Sequence, residues 1–422
     1  MKKIFATVIV LSVLLMWSGV QAVEITVGYP YGMLFNITHQ NLKKKFEELH
    51  PDIKINFRSA YKDYEDCTER VLRESITRTQ PDVSFQGLNR IRIFVERGIA
   101  LPFDKFIEKD RSFLSGLEKA VIDIGRIGDK IYALPFAIST PVVYYNADIV
   151  RKAGGNLDNL PTTWDGIIKL AKDIDKLPGT TGIWFGWDVT GNWMIQAMIF
   201  SQGGNLVTPD EKKVLLDSKE SLWVFKTIAR IVNETKMQGY NADMGRADFG
   251  SGRVGIYVWS TSDIGAVERL KGDKFEMRCT RFPLNEAYGK DNGRLPVGGN
   301  GAMIHATDPE KQKAAWEYIK FITSPFGSTE VVKTTGYMPV NSIAAKSPEY
   351  LAGFYDTHPN RKVSITQLPV MRSWYAFPGP NAIKITDIIK DKVQSIVSRQ
   401  RSGDVENLVK EMTQEVQALM PN

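Results

Sequence analysis

Cysteine and histidine are scarce in this chain. Two cysteines, Cys67 and Cys279, and four histidines, His39, His50, His305 and His358, are spread over 422 residues. None stands at a spacing that would gather ligands on one ion, so neither a metal site nor a metal cofactor is expected. An exported chain can pair its cysteines, yet nothing local specifies a bridge, and paired and free forms both stay open. Beyond Trp17 no apolar run approaches the ~20 residues that a membrane span needs. Gly-x-Ser-x-Gly, His-Glu-x-x-His and the phosphate-binding loop are missing, and no Asp or Glu sits in a motif that marks a catalytic acid. Charge of one sign is missing too. Lys and Arg number 54 against 48 Asp and Glu, a formal net charge of +6 that falls to +4 without Lys2 and Lys3. The basic residues are scattered and no basic run interleaves with aromatics, which argues against nucleic acid as a partner. Internal repeats and low-complexity tracts are also absent.

What is present begins with a leader. Met1-Lys2-Lys3, an apolar run from Ile4 to Trp17 and the small-residue site Val20-Gln21-Ala22 read as a secretory signal peptide over residues 1–22, with no cysteine behind it for a lipid anchor. The length suits roughly two domains, and 43% apolar composition is ample for their cores. Glu24 to Gly28 alternates as a strand, Leu42, Phe46 and Leu49 recur as the inner stripe of a helix, and Ile53 to Phe57 returns to period two. Strand, helix, strand opens a parallel, helix-covered sheet, so the fold class is α/β. Val71 and Leu72 mark a second helix and Pro81 to Phe85 the next strand. The loop Tyr29 to Met33 falls at the carboxyl end of the first strand, where open α/β sheets hold ligands, and this makes Tyr31 a candidate.

The chain is organised around Gly128 to Asn146. A Gly128-Asp129 turn runs into β-branched and aromatic residues, is stiffened by Pro135 and Pro141, and ends in Val142 to Tyr145. Each proline fixes φ and removes a ladder donor, so the segment reads as an extended crossing between two bodies or as one kinked edge strand. Thr162 with Asp165 forms a capping-box pattern ahead of a helix, which puts Trp164 in its first turn. Phe249 to Gly252 reads as a turn into a strand through Trp259 and Ser260. Asp308-Pro309 caps a helix containing Trp316, and two amphipathic helices close the chain, one from Ile385 to Val397 and one after Asp404.

Tyr132-Ala133-Leu134-Pro135-Phe136, Thr140 and Tyr144-Tyr145-Asn146 resemble the first hinge crossing of the family 1 extracellular solute-binding proteins of ABC importers, which include maltodextrin-binding and glycerol-3-phosphate-binding proteins. Further landmarks of that family follow in order: Pro161 to Trp164, Phe249 to Gly252, Gly298-Gly299, Ala315 to Ser324, and Gly336 to Val340. The resemblance implies a two-lobed, maltodextrin-binding-like periplasmic fold with its ligand cleft between lobes that close by hinge motion. It implies a first lobe over 23–138, a second over 139–279, a return to the first over 280–340 and second-lobe helices over 341–422. A periplasmic monomer that meets permease subunits in the inner membrane is expected, with no cofactor.

Ser139 to Asn146 and Thr335 to Pro339 are most similar to the glycerol-3-phosphate-binding branch. Position by position, that likeness implies a ligand set of Tyr64 on the loop after the second strand, Ser139 at the crossing, Trp164 at its helix start, Ser260, Gly299 and Tyr337. Two positions depart. Gly87-Leu88-Asn89 stands where the branch has an acidic residue, and Phe377-Pro378-Gly379-Pro380-Asn381 where it has a phosphate-gripping arginine. A phosphate monoester needs charge-assisted donors, so the departures favour a neutral sugar or polyol over glycerol 3-phosphate or a glycerophosphodiester. Arg372 is close enough in sequence to substitute for the arginine, or lies on the surface.

The residues read sensibly without the family as well. A sugar offers apolar C–H faces and a rim of hydroxyls, which call for aromatic platforms beside hydrogen-bonding groups. Among nine Trp, fifteen Tyr and twenty Phe, the residues Trp164, Trp187, Trp259, Tyr337 and Trp374 sit at or near Gly- or Pro-marked turns, and each either lines a cleft or packs a core. A secreted carbohydrate-active enzyme would use the same platforms but needs a carboxylate pair or an activated nucleophile. A chemosensory or adhesive module would share the closed lobe pair, and neighbouring permease and ATPase genes would separate it from a transport receptor.

Overall fold

A computed structural model describes residues 22–288 and 291–421. The leader read into the first residues lies outside them. Two sheets organise the molecule. The first has five strands in the spatial order Ile53–Phe57, Val23–Gly28, Val83–Gly87, Gly298–Ile304, Leu134–Ser139. Its first three strands run parallel, as the βαβ opening requires, and Gly298–Ile304 runs antiparallel to both its neighbours. The second sheet has four strands, Met277–Arg281, Pro141–Asn146, Val254–Ser260 and Thr181–Phe185.

Gly128 to Asn146 joins the two sheets. Leu134–Ser139 is the edge strand of the first and Pro141–Asn146 an inner strand of the second, with Thr140 alone between them. Pro135 is tolerated because its strand is an edge and because the register slips there, between Asn300 and Gly301 of the partner. Both reading alternatives for this segment are therefore partly realised: it is a kinked edge strand and also the crossing. Two other segments meet it at the hinge. Met338 donates its amide to the Ile138 carbonyl, and the Thr261 amide bonds the Thr140 carbonyl.

Periodicity places the helices with local corrections. Helix Gly32–Leu49 buries Leu42 and Phe46, but Leu49, expected on the inner stripe, is 56% exposed in the last turn. Helix Trp164–Ile174 is capped by Thr163, whose hydroxyl accepts the Gly166 amide, so the expected Thr162 box is displaced by one residue and Asp165 instead pairs with Arg230. Asp308 caps Pro309–Ile322 through the amides of Glu310 and Lys311. Phe249 to Ser251 are the last turn of helix Ala242–Ser251, ended by left-handed Gly252. The closing helices Ala382–Val397 and Val405–Gln417 bury Ile385, Ile389, Val393, Leu408 and Met412. Cys67 and Cys279 are both free: Cys67 is buried in the first lobe, whereas Cys279 lies in an edge strand of the second sheet. No described helix is long and apolar enough to cross a membrane.

Candidate functional site

Where the lobes meet, three aromatic side chains surround the Tyr64 ring and hydroxyl. Tyr64 is the first residue of helix Tyr64–Ile76, started by Asp63, whose carboxylate accepts the Asp66 amide. Asn300 of the antiparallel strand donates Nδ2 to the Tyr64 hydroxyl at 3.2 Å, and the Tyr337 hydroxyl lies 3.4 Å from it. Tyr31 meets the Tyr64 ring edge-on at 5.0 Å, with Trp374 on another side at 6.4 Å. Trp193 stands 6.3 Å beyond Trp374. Each ring is held from behind. Tyr31 adopts left-handed backbone at the start of its helix, Tyr337 stacks on Phe35 at 5.4 Å, and the Trp374 and Trp193 indoles donate to the carbonyls of Gly191 and Pro296.

The phenols of this box are neutral at any ordinary pH. Burial pushes Tyr337 up to about 12, and burial raises Tyr31 and Tyr64 well above the usual phenol value. They therefore serve as hydrogen-bond donors and acceptors with apolar faces, the equipment for binding a hydroxylated solute. Behind the box runs a part-buried ion pair. Arg90, 3% exposed, donates to Glu65 at 2.5 Å, and the same carboxylate oxygen accepts the Gly191 amide of the second lobe at 3.0 Å. Gly191 is left-handed, and a Cβ there would lie 2.2 Å from Asn89 and 2.8 Å from the Trp374 ring, so only glycine lets the lobes approach so closely.

Charged groups close the outer rim. Arg92 of helix Ile91–Glu96 holds Glu211 of the second lobe with two bonds of 2.8 and 2.9 Å, and Tyr375 donates to the same carboxylate at 3.0 Å. Glu96 accepts the Gly379 amide at 3.2 Å. The Arg92 pair holds the Glu211 carboxyl below its usual range. Among the described residues no group of three His, Cys, Asp or Glu could hold a metal ion.

A family model for the bacterial extracellular solute-binding proteins matches residues 41–354. The chain belongs to that family. Among its relatives, the sn-glycerol-3-phosphate-binding periplasmic protein UgpB of Rhizobium meliloti (strain 1021) is 24% identical over 280 residues, 64% of each chain. Its counterpart from Yersinia enterocolitica is 28% identical over 250 residues, 56% of this chain and 54% of the other. The chain thus spans less than two thirds of the length of these relatives. The solved structure of UgpB from Mycobacterium tuberculosis in complex with glycerophosphocholine superposes with a TM-score of 0.82 at 20% identity, covering 94% of this chain and 98% of that one. Maltose-bound MalE3 of T. maritima gives 0.79 at 20% identity, covering 94% and 100%. Such likeness is one of fold, the two-lobed, maltose-binding-like fold of periplasmic binding proteins.

Within this solute-binding fold the structure brings Tyr31, Tyr64, Tyr337 and Trp374 together. Tyr64 starts a helix instead of lying on a loop. Ser139 and Ser260 end their strands beside the hinge, 2% and 5% exposed, and the Ser260 hydroxyl oxygen accepts the amide of Ser262. Gly299 contributes backbone: its carbonyl takes the Leu88 amide. Four candidates lie elsewhere. Trp164 is wholly buried between Phe185 and Phe282, because its helix packs flat on the second sheet, and this corrects the expectation that it faces the cleft. Trp187 donates to the Tyr240 carbonyl, and Trp259 packs with Trp184 and Tyr257. Arg372 lies 4.0 Å over the Phe200 ring and donates to Asn205, so its guanidinium is not delivered to the box. Sequence reasoning missed Asn89, Asn300, Trp193 and the Arg90–Glu65 pair. Asn300 had a signal, a polar residue inside Gly298-Gly299-Asn300-Gly301, and Asn89 had one in the departure at Gly87-Leu88-Asn89; Trp193 and the Arg90–Glu65 pair had none.

Proposed function

We propose that this chain is a periplasmic receptor, a monomer, that captures a sugar or related polyol in the Tyr31–Tyr64–Tyr337–Trp374 box and delivers it to the permease subunits of an ABC importer, carrying out no chemistry itself. The observation that carries this reading is the Tyr64 hydroxyl, buried between the lobes and surrounded by aromatic faces drawn from both. Family membership supports the transport role, and the names of relatives and structural neighbours cover both sugars and glycerol phosphates. The leader read at the amino terminus supports the periplasmic location.

A second reading, glycerol 3-phosphate or a glycerophosphodiester, is favoured by the named relatives. Its weakness is that Arg372 is committed to Phe200 and Asn205. A thermal-shift screen of sugars, polyols and glycerophosphates on the purified mature chain tests the receptor reading. A ligand present at a hundredfold its dissociation constant stabilises by about 2.7 kcal/mol, and a shift of several degrees is expected. If no small solute moves the melting point, or if the protein turns over glycosides steadily, the receptor reading fails.

A further inference from the structure

Two side-chain amides in the box have unused acceptors. Asn89, 4% exposed, follows strand Val83–Gly87, and its Oδ1 is buried without a hydrogen-bond partner. Asn300, 1% exposed, spends its Nδ2 on the Tyr64 hydroxyl and leaves Oδ1 buried and unpartnered as well. Both reach Tyr64. Gly87 has no Cβ, and the place one would occupy lies 3.0 Å from the Tyr64 ring and 3.1 Å from Asn89 Oδ1. A buried carbonyl oxygen without a donor raises the free energy of the empty closed form, and a ligand hydroxyl that donates to it removes that cost.

The surrounding guanidinium groups have partners, although Arg90 Nε is buried without one. Arg90 is paired with Glu65, and Arg372 with the Phe200 ring and Asn205. Among the described residues no Lys or Arg is hydrogen-bonded to the aromatic or amide side chains of the box. We propose that Asn89 and Asn300 are specificity-determining residues whose Oδ1 atoms accept hydrogen bonds from ligand hydroxyls, selecting a neutral sugar or polyol against its phosphate ester. The assignment rests on the receptor reading above. A phosphate monoester carries close to two negative charges at neutral pH and offers almost only acceptors. Set against two amide oxygens and buried away from water, it loses hydration and meets only neutral phenol and amide donors.

The test is calorimetric titration of the mature protein with glucose, maltose and glycerol, and with glucose 6-phosphate, glycerol 3-phosphate and glycerophosphocholine. Wild type is compared with Asn89→Leu, Asn300→Leu and Asn89→Asp, with melting curves of each unliganded variant as the folding control. At least one neutral compound should bind, with any phosphorylated counterpart at least about tenfold weaker, and each Leu variant should lose about tenfold or more of the neutral affinity. Asn89→Asp keeps an acceptor and should hold the neutral compound within a few-fold. Wild-type affinity in both Leu variants, or tighter binding of a phosphate ester than of any neutral compound, overturns the assignment and leaves the receptor reading standing. Failure of all six compounds to bind sinks both.

Discussion

At the scale of single residues, burial decides the chemistry of His39. Neither ring nitrogen has a partner, and the ring lies among Tyr29 at 4.0 Å, Phe85 at 4.7 Å and Phe136 at 5.3 Å. Desolvation lowers its pKa to about 3, so the folded protein holds it neutral while the unfolded chain protonates it near 6.5. Its contribution to stability is full above pH 6.5 and is lost as pH falls toward 3, at most about 1.4 kcal/mol per pH unit. His305, held at about 4 chiefly by burial, acts with the same sign. Replacing His39 by Phe should therefore reduce, without abolishing, the fall in melting temperature between pH 7.5 and 4.5; parallel falls in both proteins would remove His39 from the account.

Tryptophans divide by what their rings touch. Trp316 packs against Phe103, Phe106 and Phe113 and is 4% exposed, so Trp316→Ala should cost about 3–5 kcal/mol of folding free energy with affinity little changed. Trp164, wholly buried, belongs with it. Trp374→Ala should weaken ligand by about 1–3 kcal/mol, the scale of one aromatic platform. A melting curve and a titration on each variant separate the classes, and a Trp374 variant that binds normally would put the cleft elsewhere.

At the scale of elements, the antiparallel strand Gly298–Ile304 is the piece that composition describes least well. Its Gly298-Gly299-Asn300-Gly301 start has poor strand propensity, yet it sits between two strands and fills the first sheet. Gly299 explains why glycine is needed. Its φ is +114°, and an added Cβ would sit 1.8 Å from the Ala137 carbonyl oxygen, a backbone atom that cannot turn aside. Gly299→Ala should separate the strand from Leu134–Ser139 and lower stability by more than about 2 kcal/mol, with loss of ligand binding in whatever remains folded. Hydrogen exchange at Ile138 and Ala137 reports the separation; unchanged protection there would show that the strand adapts. Elements of regular period were legible, because amphipathic helices such as Ala382–Val397 bury the residues that recur every three or four positions. Local ends were less so. The one-residue displacement of the cap from Thr162 to Thr163 arose because both are threonines and only the backbone direction decides which turns the chain.

At the scale of the molecule, the lobes are drawn shut by polar contacts as well as by the box. The bidentate Arg92–Glu211 pair lies at the rim, with the two side chains 26% and 33% exposed. Half-exposed pairs of this kind are worth about 0.2–1 kcal/mol, more when bidentate. Arg92→Ala should therefore shift the unliganded protein toward an open form, with a larger radius of gyration in X-ray scattering, and should speed ligand release a few-fold. Raising salt should shrink the difference between variant and wild type. Identical scattering at low salt would mean that the rim pair follows closure without favouring it.

By itself the sequence determined the alternation of strands and helices, a proline-stiffened extended segment over Gly128 to Asn146, and the family, since these depend on periodicity, on the fixed φ of proline and on local wording. It also placed Tyr64 and Tyr337 in the site through resemblance, and Tyr31 through its position at a strand end. Only the tertiary structure decided which aromatics share one box, that Trp164 and Trp259 belong to a lobe core, and that Asn89, Asn300 and the Arg90–Glu65 pair stand beside Tyr64. Tyr64 and Tyr337 are 273 residues apart in sequence yet 3.4 Å apart at their hydroxyls. Contacts of that range are set by how two sheets twist and close about a hinge, and no local pattern of side chains encodes that angle.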